Sequence, residues 1–294
     1  MKILVTGIEG QVARSLAERA GKHTGVELIP IGRPRVDLEQ PGSAERAIAQ
    51  VSPDVVINAA AYTGVDAAED EPERAFRINA DAAGEIAAAA ARIGAPIIQL
   101  STDYVFDGSA EGPYDEKAVP HPLGVYGRSK LAGEEQVRSA NADHAIVRTA
   151  WVYSPFSHNF VKTMVAAAGR GAPLSVVSDQ RGSPTSALDI ADGLLAIVER
   201  WKTDRTAALG ETFHLAGTGS TSWFGFARAI MDECRKHGVP AAEVQPISSV
   251  QWPTKAPRPS NSVLNSCKFE REFGYSAPAW EQSLAIVAGR LFGA

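Results

Sequence analysis

Two cysteines stand in 294 residues, Cys234 and Cys267, with no CxxC pair and no disulfide framework. A disulfide-stapled fold is excluded, and so sparse a usage fits a reducing compartment. Long apolar runs are missing as well. The opening "MKILVTG" has one lysine and too short an apolar stretch for a signal peptide. The alanine-rich stretch from Ala82 to Ile98 is interrupted by Glu85 and Arg92, which excludes a membrane span. There is no basic excess. The formal net charge is −5, so no electrostatic reason exists to bind nucleic acid or an anionic membrane. GxSxG, HExxH and Walker A sequences are absent, and the six histidines show no ligand spacing, so no metal site is assigned. These absences predict a soluble cytoplasmic protein with no nucleic-acid or membrane partner.

What is present is a core and an alternation. Apolar residues make up 45% of the chain, enough for one large domain or a large one with a smaller attached. Residues 2–6, 26–31, 54–60, 96–101 and 144–149 read as strands. They are continuous apolar runs, which suits parallel strands buried on both faces. Helical patterns lie between and after them, near 10–21, 41–51, 71–93, 126–140 and 157–170. The alternation predicts an α/β fold, a Rossmann-like doubly wound parallel sheet. Beyond about residue 170 it degrades. Strands are expected at 173–179 and 211–217, helices at 186–201, 222–237 and 280–291, and a three-proline loop at 248–262. The expected division is a nucleotide-binding domain over 1–170 and a mainly substrate-binding domain over 171–294, discontinuous, with segments returning to the first.

"VTGIEGQVA" puts Gly7, Gly10 and Ala13 after the first strand and at a helix start. There, backbone N–H groups and the positive helix end meet a pyrophosphate. The spacing is GxxGxxA rather than GxGxxG. About twenty residues on, where an acid for the ribose is common, stand Arg33 and then Asp37. Asp37 has two readings, a contact with the adenine or a cap for the next helix, a role that Ser43 fits better. Arg33 suits a 2′-phosphate, so both cofactors are expected to serve, with NADPH preferred over NADH.

Tyr126 and Lys130 are four apart, hence on one face of a helix. One reading is a solvated pair on an exposed helix. The chemical reading has the ammonium lowering the tyrosine's pKa from ~10, making it a usable proton donor. The helix follows a strand ending in "LSTDYVFDG" (100–108), whose Ser101, Thr102 and Asp103 sit where a doubly wound sheet binds ligands. A hydroxyl there can polarise the carbonyl that the tyrosine protonates. Asp107 before Gly108 reads as a turn former. Lys255 and Arg258, in the proline-rich loop, are candidates for holding a diphosphate, with a solvated basic loop as the alternative for Lys255.

Taken together, "NAAAYTGVDAAEDEPERAFRINADAAGEIA" (58–87), "STDYVFDG", "YGRSKLAGE" (126–134), "RTAWVYS" (148–154), "NFVKTM" (159–164), "DQRGSPTSALDIA" (179–191) and "RPSNSVLNSCK" (258–268) resemble, in the same order, the blocks of the extended short-chain dehydrogenase/reductase superfamily and, within it, of the dTDP-4-dehydrorhamnose reductases. The resemblance implies NAD(P)H-dependent reduction of the 4-keto group of dTDP-4-dehydro-L-rhamnose, a step of dTDP-rhamnose biosynthesis for cell-surface polysaccharide. It makes Thr102, Tyr126 and Lys130 the catalytic set. Gly10, Gln11 and Val12 would meet the pyrophosphate, while Asp37, Leu38, Ala61, Tyr62 and Thr63 line the cofactor. Asp103 and Trp151 would contact the sugar nucleotide, with core filling as the other reading of Trp151. Ala13, Ala150 and Ser154 depart from the family pattern without touching the proton relay. Some family dimers are built around a metal such as Mg2+, whose ligands cannot be assigned here, so monomer and homodimer both stay open. The alternatives are a reductase or epimerase of another nucleotide sugar, and a non-catalytic regulatory subunit of the same fold.

Overall fold

The apolar runs become the strands β1 (Lys2–Thr6), β2 (Glu27–Ile31), β3 (Val55–Asn58), β4 (Ile97–Thr102) and β5 (His144–Thr149) in a computed structural model that describes residues 1–293. All pair in parallel, and a further strand, Glu211–His214, adds beside β5. The order across the sheet is Glu211–His214, β5, β4, β3, β1, β2. Every residue of β3, β4 and β5 is buried, whereas β2 is an edge strand and tolerates Pro30. The chain runs from β1 to β2 on one side and then to β3 on the other. Strand order therefore reverses between β1 and β3, and ligands bind in such a crevice, beyond the carboxyl ends of the strands.

Alternation along β1 divides the core. Ile3 and Val5 join Val12 and Leu16 of α1 (Gln11–Ala20) and the helix Ala187–Thr203. Leu4 faces the other way, to Ile48 of α2 (Ser43–Val51) and Ile86 further on. Each such fully buried aliphatic contributes about 1.5–3 kcal/mol, so both sheet faces are fixed. Helices covering both faces make this the expected doubly wound α/β fold.

The stretch expected as one helix over 71–93 is subdivided. After α3 (Val65–Ala68), α4 (Pro72–Phe76) passes through a π-helical turn, Arg77–Asp81, into α5 (Ala82–Arg92). Against it lies α6 (Val125–Ala140), the Tyr126/Lys130 helix, drawn in very close. A Cβ on Gly133 would stand 2.0 Å from the Asn79 carbonyl oxygen, and one on Gly127 would stand 2.2 Å from that of Tyr104. Only glycine lets the helix approach both.

A separate apolar cluster joins the helices Phe160–Ala168, Trp223–Lys236 and Trp280–Leu291 through Val161, Phe226 and Leu284. Like α3, the helix Cys267–Phe273 was not expected; its Phe269 and Phe273 pack around Phe213. The proline-rich loop is a loop except for a short turn at Ser249–Gln251, closed by a capping box from Ser248 and Gln251. No helix among the described residues is long and apolar enough to cross a membrane.

Candidate active site

The loop after β1 turns at Gly7, whose φ of +95° lies where side chains are strained, and its N–H donates to Ile31 O at 2.7 Å. Thr6 Oγ1 accepts the N–H groups of Ala59 and Ala60 at 3.1 and 3.0 Å, tying the loop after β3 to the end of β1. Gly10 precedes α1 with no side chain to cap it, so the helix's first N–H groups are presented by backbone alone. The Gln11 side chain is engaged elsewhere. Its amide oxygen accepts Ser154 Oγ at 2.8 Å and Asn159 Nδ2 at 3.1 Å. Only the Gln11 backbone is left for a phosphate, and Ser154, one of the departures from the family pattern, helps to fix the side chain.

These loops form one wall of a cleft of about 780 Å³. It gathers Gly7, Gly10, Gln11, Val12, Arg33, Asp37, Leu38, Ala61, Tyr62 and Thr63 with Tyr126 and Lys130. The backbone turn at Gly7, the unblocked start of α1 and the volume of the cleft fit a dinucleotide. Asp37 Oδ1 accepts the Glu39 N–H at 3.1 Å, and α2 begins after Gly42, so neither Asp37 nor Ser43 caps it. Arg33 is exposed on the cleft lining, whereas Arg35 turns away to Gln50 at 3.3 Å. Sequence reasoning missed Arg74, which lines the same end. It bonds Glu39 at 2.7 Å and Glu71 at 2.9 Å, and Glu71 also accepts the Tyr62 hydroxyl.

A buried polar chain crosses the strand ends. Thr6 Oγ1 donates to Asn58 Oδ1 at 2.5 Å, Asn58 Nδ2 to Gln99 Oε1 at 2.8 Å, and Gln99 Nε2 to Leu100 O at 2.8 Å. Lys130 Nζ donates to the same Leu100 carbonyl at 2.7 Å. Here the structure differs from the expectation that the ammonium lowers the tyrosine's pKa. Burial pushes the Tyr126 phenol up to about 12, Asp103 adds to the rise, and the Thr102 hydroxyl alone opposes it. Burial draws Lys130 down to about 8, with Glu134 acting against the fall. The tyrosine is thus held protonated and the lysine is poised near neutrality.

Beyond the cleft lining, Thr102 Oγ1 donates to Asp103 Oδ1 at 3.0 Å and accepts the Tyr104 N–H at 3.2 Å. Burial pushes Asp103 up to about 6, with the Ser262 and Thr102 hydroxyls holding it back. The Tyr104 ring meets Tyr126 edge-on at 5.7 Å. Trp151 has a φ of +45°, a strained conformation for a bulky residue. Its indole stacks on Trp223 at 3.5 Å and lies over Gly182, where a Cβ would come within 2.3 Å of it. Asp107 is a turn former, accepting the Ser109 N–H at 2.9 Å.

Arg258 and Lys255 are both paired. Arg258 Nη2 bonds Asp66 Oδ2 at 2.7 Å, and its guanidinium lies 6.0 Å from the Tyr104 ring centroid. Lys255 is paired with the exposed Asp70. The loop is thereby pinned to α3 and to the residues just after it, with Ala256 N also donating to Asp66 at 3.0 Å.

A family model, the RmlD substrate binding domain, matches residues 1–291. The chain belongs to the RmlD substrate binding domain family. A dTDP-4-dehydrorhamnose reductase of Sinorhizobium fredii (strain NBRC 101917 / NGR234) is 45% identical over 286 residues, 96% of this chain and 95% of the relative. The crystal structure of a dTDP-4-dehydrorhamnose reductase from Clostridium acetobutylicum superposes with a TM-score of 0.89 at 37% identity, over 98% of both chains. The enzyme of the same description from Bacillus anthracis, solved in complex with NADP, gives 0.90 at 32% identity, over 97% of this chain and 98% of that one. The matched span of the RmlD substrate binding domain family takes in the cleft, the Tyr126 helix and the loop that carries Arg258.

Proposed function

We propose that this chain is a cytoplasmic NAD(P)H-dependent reductase that converts dTDP-4-dehydro-L-rhamnose to dTDP-L-rhamnose. The observation that carries the reading is the continuity of one cleft from the phosphate loop to Tyr126 and Lys130. Likeness to reductases of that description over nearly the full chain supports the substrate, and the NADP complex of one of them supports the cofactor.

A reduced nicotinamide, when bound, supplies the hydride. Gly7, Gly10 and the first N–H groups of α1 hold its pyrophosphate, and Asp37, Leu38 and Tyr62 line the adenosine end. Lys130 holds the nicotinamide ribose from its place on Leu100. Tyr126 gives its phenolic proton to the C4 oxygen, which Thr102 polarises as negative charge develops there. Asp103 and Trp151 orient the sugar, and Arg258, one ring removed from Tyr126, takes part of the diphosphate charge. The test is to incubate the protein with dTDP-4-dehydro-L-rhamnose and NADPH and identify the product by NMR. Formation of dTDP-L-rhamnose supports the reading. Turnover of a different ketosugar nucleotide alone, or of none, overturns it in favour of another nucleotide-sugar enzyme or a regulatory subunit.

A further inference from the structure

The end of β4 is laced to α6 at three successive turns. The Thr102 hydroxyl faces Tyr126, the Leu100 carbonyl accepts from Lys130 Nζ at 2.7 Å, and Ser101 Oγ donates to Glu134 Oε1 at 2.6 Å. Positions 126, 130 and 134 recur every four residues, so they fall along one buried stripe of the helix. Glu134 is wholly buried. Its carboxylate takes a two-pronged bond from Arg148 of β5, Nε at 2.8 Å and Nη2 at 2.7 Å, and one from Arg138 at 3.0 Å.

A structural ion pair would be satisfied by Arg148 alone. This carboxylate instead sits one turn from a buried ammonium and grips the residue next to Thr102. We propose that Glu134 is a positioning residue for the reductase, fixing the Ser101–Thr102 strand end against α6 and serving the buried Lys130 one turn away, which would hold the nicotinamide ribose. The proposal rests on the reading of the cleft as a cofactor site.

Burial draws the Lys130 pKa down, and Glu134 works against the fall. The other charged groups nearby are accounted for. Arg148 and Arg138 engage Glu134 itself, His214 from the outermost strand is held neutral by burial beside Arg148, and Asp103 lies at the Thr102 end. Glu69, just after α3, accepts the Val125 N–H, Arg74 of α4 pairs with Glu39 and Glu71, and Arg77 pairs with Asp81 and Glu85. Glu134 is the carboxylate along the Lys130 stripe.

The decisive experiment measures NADPH affinity against pH by cofactor fluorescence, a readout that needs no turnover, with wild type, Glu134→Gln, Glu134→Asp and Ser101→Ala. Glu134→Gln should move the alkaline loss of affinity to lower pH by about one pH unit. Glu134→Asp should restore part of that shift, and Ser101→Ala should lower kcat about tenfold with the pH midpoint in place. Because Glu134→Gln leaves Arg148 buried without its counter-charge, Glu134→Gln/Arg148→Met, compared with Arg148→Met, isolates the loss of the carboxylate if the single variant fails to fold. An unmoved midpoint in the folded variant overturns the proposal. If wild type binds NADPH but reduces no sugar nucleotide, the substrate reading falls while this result still stands.

Discussion

Lys130 and Leu100 are joined by a 2.7 Å hydrogen bond, from the buried ammonium to a carbonyl that also takes the Gln99 amide. The carbonyl ends a polar chain that begins at Thr6, beside the phosphate loop. The lysine's place is therefore set by the sheet rather than by the tyrosine four residues away. Lys130→Ala should damage both cofactor affinity and rate. Tyr126→Phe should lower kcat by ~10²–10⁴-fold with little change in NADPH affinity. Kinetics paired with fluorescence titration check both; a Tyr126→Phe enzyme of near-full activity would refute the acid role.

Asp103 should cost the fold stability at neutral pH. Its pKa rises from the usual ~3.9 to about 6, so between those values the folded chain holds a proton that the unfolded chain has released. Stability from this group therefore falls as pH rises through that window. Asp103→Asn is expected to gain about 1–3 kcal/mol at pH 7–8 and almost nothing at pH 4. Thermal melts at both pH values measure it. A gain equal at both would show that the carboxylate's charge is not the cause.

Arg33 should decide between cofactors. It is exposed on the cleft lining, and a charge-assisted bond to a 2′-phosphate is worth ~1.5–3 kcal/mol, or roughly ten- to hundredfold. Wild type should prefer NADPH, and Arg33→Ala should erase most of that preference in kcat/KM. Arg35, already turned to Gln50, should matter little. An unchanged ratio would make Arg33 a surface residue.

Arg258→Ala should raise KM for the sugar nucleotide much more than Kd for NADPH. Asp66 holds the guanidinium next to Tyr104, so the arginine is placed before any substrate arrives. Lys255→Ala, which breaks an exposed pair with Asp70, should change neither by more than about twofold. Equal effects of Arg258→Ala on the two ligands would remove the diphosphate role.

The sheet was legible because β3, β4 and β5 are buried on both faces and must be continuously apolar. The phosphate loop and the Tyr126/Lys130 spacing were legible because each is local. What escaped depends on partners distant in sequence. Nothing in "KAPRP" announces that Lys255 and Arg258 meet Asp70 and Asp66, nor does a lysine's side chain reveal that a backbone carbonyl will receive it. The π turn at Arg77–Asp81 lies against Gly133, a contact distant in sequence, and the sequence pattern still reads as one helix. The helix Cys267–Phe273 is too short for a periodic signal.

The most direct test of the central claim uses NADPH carrying deuterium at both nicotinamide C4 positions, with dTDP-4-dehydro-L-rhamnose and either wild type or Tyr126→Phe. The account predicts deuterium at C4 of the product sugar, formed ~10²–10⁴-fold more slowly by the variant. Product without deuterium at that carbon, or formed equally fast by both proteins, would contradict it.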